Sequence, residues 1–247
     1  MRSGNPALRD DTFTGWGRMA RADQMTIQGT VNKAALLLGC VLVTAFWTWQ
    51  LFFQTRNAGQ VLPWMLLGLI AGFIVALITI FKPTWAPVTA PLYALLEGLF
   101  LGGISAIMEA RFPGLVIQAV FLTFGTCLAL LVAYRSGLIR ATENFKLGVV
   151  AATGGIVLVY FVTILLSFFG VRLPLIHQGG WFSIAFSLFV VVIAALNLVL
   201  DFDFIETGAA QGAPRFLEWY GAFGLMVTLV WLYIEILRLL ALLRGRD

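Results

Sequence analysis

Four acidic side chains, Glu97, Asp201, Asp203 and Glu235, interrupt or close runs that are otherwise almost wholly apolar. An ionised side chain near the centre of a bilayer costs ~2.5–3.5 kcal/mol on insertion scales, so it is normally kept facing a protein interior or a wet cavity. Embedded acids with few embedded bases are the pattern of proton or cation handling. No catalytic chemistry competes with that reading. The single histidine, His177, falls in a loop near Arg172, which excludes an HExxH zinc site and argues against a Ser–His pair. A pair of facing catalytic aspartates is not offered either, because the last apolar run carries Glu235 instead. Lys33, Lys82 and Lys146 lie at the edges of apolar runs, away from any place suited to a retinal Schiff base, and no glycine-rich phosphate loop occurs. No enzyme activity, cofactor or metal cluster is expected.

Helical spacing sorts these residues onto faces. Ser183, Ser187, Ala194, Asn197 and Asp201 follow one another at four, seven, three and four residues, which makes a polar stripe along one side of a helix. Asp203 is two positions further, roughly 200° around, so periodicity favours Asp201 as the inward acid. The alternative is an acidic turn in which both aspartates are solvated at the helix end, with Glu206 in the loop. Gly221, Gly224, Thr228, Trp231, Glu235 and Arg238 share a face in the same way. Glu235 is either a functional carboxylate or the partner of Arg238 in an i, i+3 ion pair, and the two roles are compatible. Glu97 has no base within a turn; a protonated carboxyl there would donate a hydrogen bond to a neighbouring helix. Should Asp201 and Glu235 approach, they cannot both ionise cheaply and would share a proton. Protonated, such a pair holds its helices together; ionised, it repels or admits a cation.

The elements that must position these groups follow from composition. Hydrophobic residues make up 60% of the 247, charged residues 11%, and the mean hydropathy is +0.94. A soluble domain is about 45–50% apolar and ~25% charged, so this is a polytopic membrane protein. Apolar runs of the ~20 residues that cross a bilayer recur near 31–53, 63–81, 88–108, 115–134, 147–169, 181–200 and 221–243. The ~10-residue alternation of a membrane barrel is missing. Residues 1–30 read as a polar cytoplasmic lead-in without a cleavable signal, and residues 31–243 as the helical bundle. Pro63 is expected to open the second span and Pro87 and Pro91 the third. Ala90, Ala94, Gly98, Gly102 and Ala106 form a small-residue ridge on the third span, and Gly148, Ala152 and Gly155 a shorter one on the fifth. Both mark expected close helix contacts. Cys40 and Cys127 fall inside spans, where they pack as small apolar side chains.

Basic residues are scattered through loops and tails, which excludes a nucleic-acid face. With the N-terminus inside, Arg2, Arg9, Arg18, Arg21, Lys33, Lys82, Arg135, Arg140, Lys146 and Arg215 lie on the inner side, against Arg56, Arg111 and Arg172 outside. This predicts a cytoplasmic N-terminus. Arg238, Arg244 and Arg246 run against the rule if all seven segments cross.

Three stretches, LLEGLFLGGISA at 95–106, ALNLVLDFDFIE at 195–206 and WLYIEILRLLALL at 231–243, make the chain resemble the Bax inhibitor family of membrane proteins, in particular its bacterial YccA-like branch. The resemblance implies an all-α bundle of six helices around a central last helix in the inner (plasma) membrane. It also implies a pH-sensitive calcium leak latched by paired acids at the ends of the sixth and last spans. By position those acids are Asp201 and Glu235, with Asp203 as a possible substitute for Asp201, and Asn197, Arg238 and Glu97 as further residues of the ion pathway. The last-span acid is usually Asp and here is Glu; the sixth span reads Asp-Phe-Asp where many relatives have Asp-Thr-Gln. Partners so implied are the bilayer, calcium ion and, in a non-channel alternative, a membrane-bound quality-control protease that the protein would regulate.

Overall fold

A computed structural model describes residues 23–169 and 180–245. His177, Arg172 and the lead-in before residue 23 lie outside the described residues. Among the described residues seven α-helices follow in order: α1 Ile27–Thr55, α2 Ala58–Phe81, α3 Ala86–Arg111, α4 Leu115–Arg135, α5 Glu143–Phe168, α6 Trp181–Ala210 and α7 Leu217–Arg244. All seven are long and apolar enough to cross a membrane. Among the described residues there is no strand, only an isolated bridge between Gln24 and Pro214. The protein is therefore an all-α polytopic membrane protein.

Local chemistry sets most boundaries. Thr26, Asn57 and Thr142 each accept a hydrogen bond from a backbone N–H in the first turn of α1, α2 and α5, satisfying a donor that the helix leaves open. The α3–α4 connection turns at Gly114, whose φ of +79° suits a residue without a Cβ. Two expectations are corrected. Pro63 does not open α2 but lies in its second turn. The stretch Asp201–Glu206 is not an acidic turn: α6 continues to Ala210, and the connection is residues 211–216. It continues because Leu198, Phe202 and Ile205 keep a buried apolar face at helical spacing, while Glu206 is exposed and Asp203 half-buried.

The described chain forms two compact units, one of residues 23–113 and 203–227, the other of 114–169, 180–202 and 228–245. In the first, α3 packs against α1 and α2. Gly98 and Gly102 lie so close to α1 that a Cβ would strike the Val41 and Ala45 carbonyls, and Gly68 of α2 approaches the Leu96 backbone equally closely. Ala90, Ala94 and Ala106 are fully buried. Small residues let backbones approach where van der Waals fit holds helices together in lipid. Thr44 and Thr48 line this contact and bond carbonyls of their own helix, which keeps their hydroxyls satisfied.

In the second unit, Ile156, Val190 and Ile193 form a buried cluster surrounded by Ala152, Tyr160, Phe186, Leu196 and Trp231. The α5 ridge expected here is not one: a Cβ at Gly148 or Gly155 would meet nothing within 4 Å. The buried residues of α5 are instead Lys146, Val149, Ile156 and Thr163, and Ile156 packs against Val190 and Ile193 of α6.

Candidate functional site

The polar stripe of α6 is buried along its whole length, with Ser183, Ser187, Ala194, Asn197 and Asp201 at 0–5% exposure. The register against α5 comes from paired contacts. Asn197 donates to Thr153 Oγ1 at 2.9 Å, Ile156 packs with Val190 and Ile193, and Tyr160 meets Phe186 edge-on with centroids 6.0 Å apart. Rising α5 numbers face falling α6 numbers, so the two helices are antiparallel. Asn197 also donates to the Ile193 carbonyl at 2.8 Å, which fixes the orientation of its amide.

Glu235 on α7 is 4% exposed. Its Oε1 accepts a hydrogen bond from Tyr160 Oη at 2.7 Å. Arg238 Nη1 donates to the same phenol oxygen at 2.5 Å and stands 3.5 Å from Glu235 Oε2. The i, i+3 ion pair anticipated from the sequence is present, with Tyr160 as a third member that spacing along α7 could not reveal. Oε2 accepts no hydrogen bond among the described residues, so this carboxylate is under-coordinated. Trp231, one turn earlier, packs on the α5–α6 cluster and fixes the helix that carries it.

These contacts also decide whether the two acids meet. Asn197 is level with Thr153, and Asp201 lies one turn beyond it, level with Val149; Glu235 is level with Tyr160. Asp201 and Glu235 are thus about 16 Å apart along α5 at ~1.5 Å per residue. Across such a separation the two acids would not share a proton directly. Helical spacing placed each acid correctly on its own helix, but the antiparallel register separates them. Asp201 is 1% exposed and within electrostatic range of Cys127 on α4. What the unit contains is polar groups at separate levels: buried Glu235 with half-buried Tyr160, and, beyond the apolar cluster of Ile156, Val190 and Ile193, buried Asn197 with half-buried Thr153 and then buried Asp201.

Glu97 and Asp203 belong to the other compact unit. Glu97 is 8% exposed, one turn from buried Tyr93, and a Cβ at Gly72 would come to 3.4 Å from its Oε2. Tyr93 in turn meets Phe223 of α7 edge-on, centroids 5.1 Å apart. Cys40 and Cys127 are free thiols. No group of three His, Cys, Asp or Glu able to hold a metal ion exists among the described residues.

A further acid with both carboxylate oxygens engaged carries no mark in the sequence. Glu218, in the first turn of α7, is 2% exposed. Its Oε1 accepts hydrogen bonds from the Thr26 backbone N–H at 2.9 Å and from Thr26 Oγ1 at 2.8 Å. Its Oε2 is bound by Lys33, whose ammonium also sits 5.4 Å from the Trp219 ring centroid. An acid in a first helical turn is a common helix-terminus preference, so nothing in the local sequence marked it. Its partners are 185 and 192 residues away.

A family model described as Bax inhibitor 1 like matches residues 5–245. No curated protein and no solved structure matches the chain.

Proposed function

Since this chain belongs to the Bax inhibitor 1 like family, we propose that it is a passive cation leak, chiefly for calcium, with two separate carboxylate stations on its pathway. The observation that carries the reading is the set of polar groups on α5, α6 and α7, with buried Glu235 at one level and buried Asp201 at another. Oxygen donors at such levels replace part of an ion's hydration shell, and too few acids are present for a tight cage. Glu235 is the gated station. Arg238 and Tyr160 neutralise and orient it, and its Oε2, ion-paired with Arg238 at 3.5 Å, accepts either a proton or a passing cation. Asp201 is the second station, one turn from Asn197.

Because the stations are apart, they act independently. Sites more than ~7–10 Å apart with no shared partner are usually additive. Calcium entry into proteoliposomes is therefore expected to depend on pH, and Glu235→Gln to flatten part of that dependence. Asp201→Asn is expected to change log flux by an amount that adds to the Glu235→Gln effect in the double variant. A pH profile untouched by either substitution would overturn the assignment. Strong non-additivity would restore a direct proton-sharing pair. Absence of flux at any pH would favour the non-channel reading, a regulator of a membrane-bound protease. The reading takes the protein as residing in the inner membrane with its N-terminus in the cytoplasm, on the distribution of Lys and Arg.

A further inference from the structure

Just before α1 the backbone is stitched to the α6–α7 connection. Met25 N–H donates to the Ala213 carbonyl at 2.6 Å and Arg215 N–H to the Asp23 carbonyl at 2.8 Å, across the antiparallel bridge of Gln24 and Pro214. The connection turns at Gly212, whose φ is +66° and which abuts the Gln24 side chain. In the first turn of α7, Glu218 reaches back to the N-terminus of α1. It takes the backbone N–H and hydroxyl of Thr26, the residue that itself caps α1 by accepting from Gly29 N–H at 2.9 Å. Lys33, on α1's second turn, closes the contact from the other side. A Cβ on Gly29 would occupy the space of the Glu218 carboxylate, which would have to shift away from Thr26 and Lys33.

Two features make this contact releasable. The backbone stitch is short, a single bridge with two flanking hydrogen bonds. The ionic part borders a polar cleft of about 300 Å³ lined by Gln24, Asn32, Lys33, Arg215 and Glu218, so separated charges would be received by water rather than hydrocarbon. A charge pair at such a boundary opens at far lower cost than one in a dry interior.

We propose that residues 23–26, the α6–α7 connection and the Lys33–Glu218 pair form a strap that fastens the start of α7, and that its release regulates the leak. The regulatory half rests on the leak reading; the existence of an electrostatically closed strap does not. Closed, the strap holds the first turn of α7 against the first turn of α1. Open, it frees the beginning of the helix whose later turns carry Glu235.

The test is a disulfide across the bridge. Gln24→Cys and Pro214→Cys are introduced in a protein carrying Cys40→Ser and Cys127→Ser, and the rate of oxidative cross-linking is followed in proteoliposomes. Fast cross-linking is expected, slowed about tenfold by Lys33→Met or Glu218→Gln and restored by Lys33→Arg, which keeps the charge and serves as the folded control. Equal rates in all four proteins would overturn the electrostatic closure. Calcium entry is then compared between the oxidised and reduced double-cysteine protein. A several-fold fall on oxidation that reduction reverses supports regulation. Efficient cross-linking with unchanged flux would overturn it. A protein with no flux in either state would overturn the regulatory half together with the leak reading, while the cross-linking rates still decide the strap.

Discussion

Two buried glutamates lie on one helix, and their surroundings are opposites. Glu218 is held by groups from a different helix: both carboxylate oxygens are occupied, by Thr26 and by Lys33. Glu235 draws its cation from its own helix, at i+3, and shares a tyrosine with it, leaving one oxygen without a hydrogen bond among the described residues. A saturated carboxylate ties segments together. An under-coordinated one retains the capacity to take up a proton or an ion. The difference teaches that burial of an acid in a membrane helix is not by itself a sign of function; the number and origin of its partners decide.

The largest effect that would sharpen this contrast is on stability. Glu218→Ala strips from Thr26 two hydrogen bonds to a charged acceptor, so a loss of about 3 kcal/mol is expected, at ~1.5 kcal/mol for each such bond. Glu235→Ala should lose clearly less, since Arg238 keeps Tyr160 and is itself partly exposed. Unfolding of both variants in detergent, followed by tryptophan fluorescence, measures the difference. Equal losses would erase the distinction between tie and station.

Next comes Gly29→Val, which introduces bulk where the Glu218 carboxylate sits. Overpacking typically costs about 1–3 kcal/mol, and the same unfolding assay should place this variant between Glu218→Ala and the parent. Gly155→Val, on a helix face where a Cβ meets nothing, should unfold like the parent. The smallest effect is expected for Tyr160→Phe, which removes one donor to Glu235 and one acceptor from Arg238. A stability loss of about 1 kcal/mol follows from the net worth of a hydrogen bond. A loss as large as that of Glu218→Ala would mean that Glu235 too is a structural tie.

Much of this protein was legible in the residue order. The seven spans, the buried stripe from Ser183 to Asp201 and the small-residue face of Gly98 and Gly102 all follow from hydrophobic length and helical period, because each is a property of one helix against a uniform solvent; the helix ends do not, and α6 runs ten residues past the end of its apolar run, to Ala210. The Glu235–Arg238 pair was visible for the same reason, both members being on one helix. The α5 glycines were misjudged because spacing identifies a smooth face without saying whether another helix uses it.

Which helix faces which, and in what register, was left to the packed molecule. Antiparallel packing of α5 on α6 sets Thr153 beside Asn197, the contact of α5 with α7 sets Tyr160 beside Glu235, and together they place Asp201 and Glu235 about 16 Å apart at ~1.5 Å of rise per residue. The same kind of decision joined Glu218 to Thr26 and Lys33 across most of the chain. Periodicity gives an angle around one axis. The distance between two axes and the sliding of one along the other are set by side-chain packing between segments remote in sequence, and that information is carried by no single stretch of the chain.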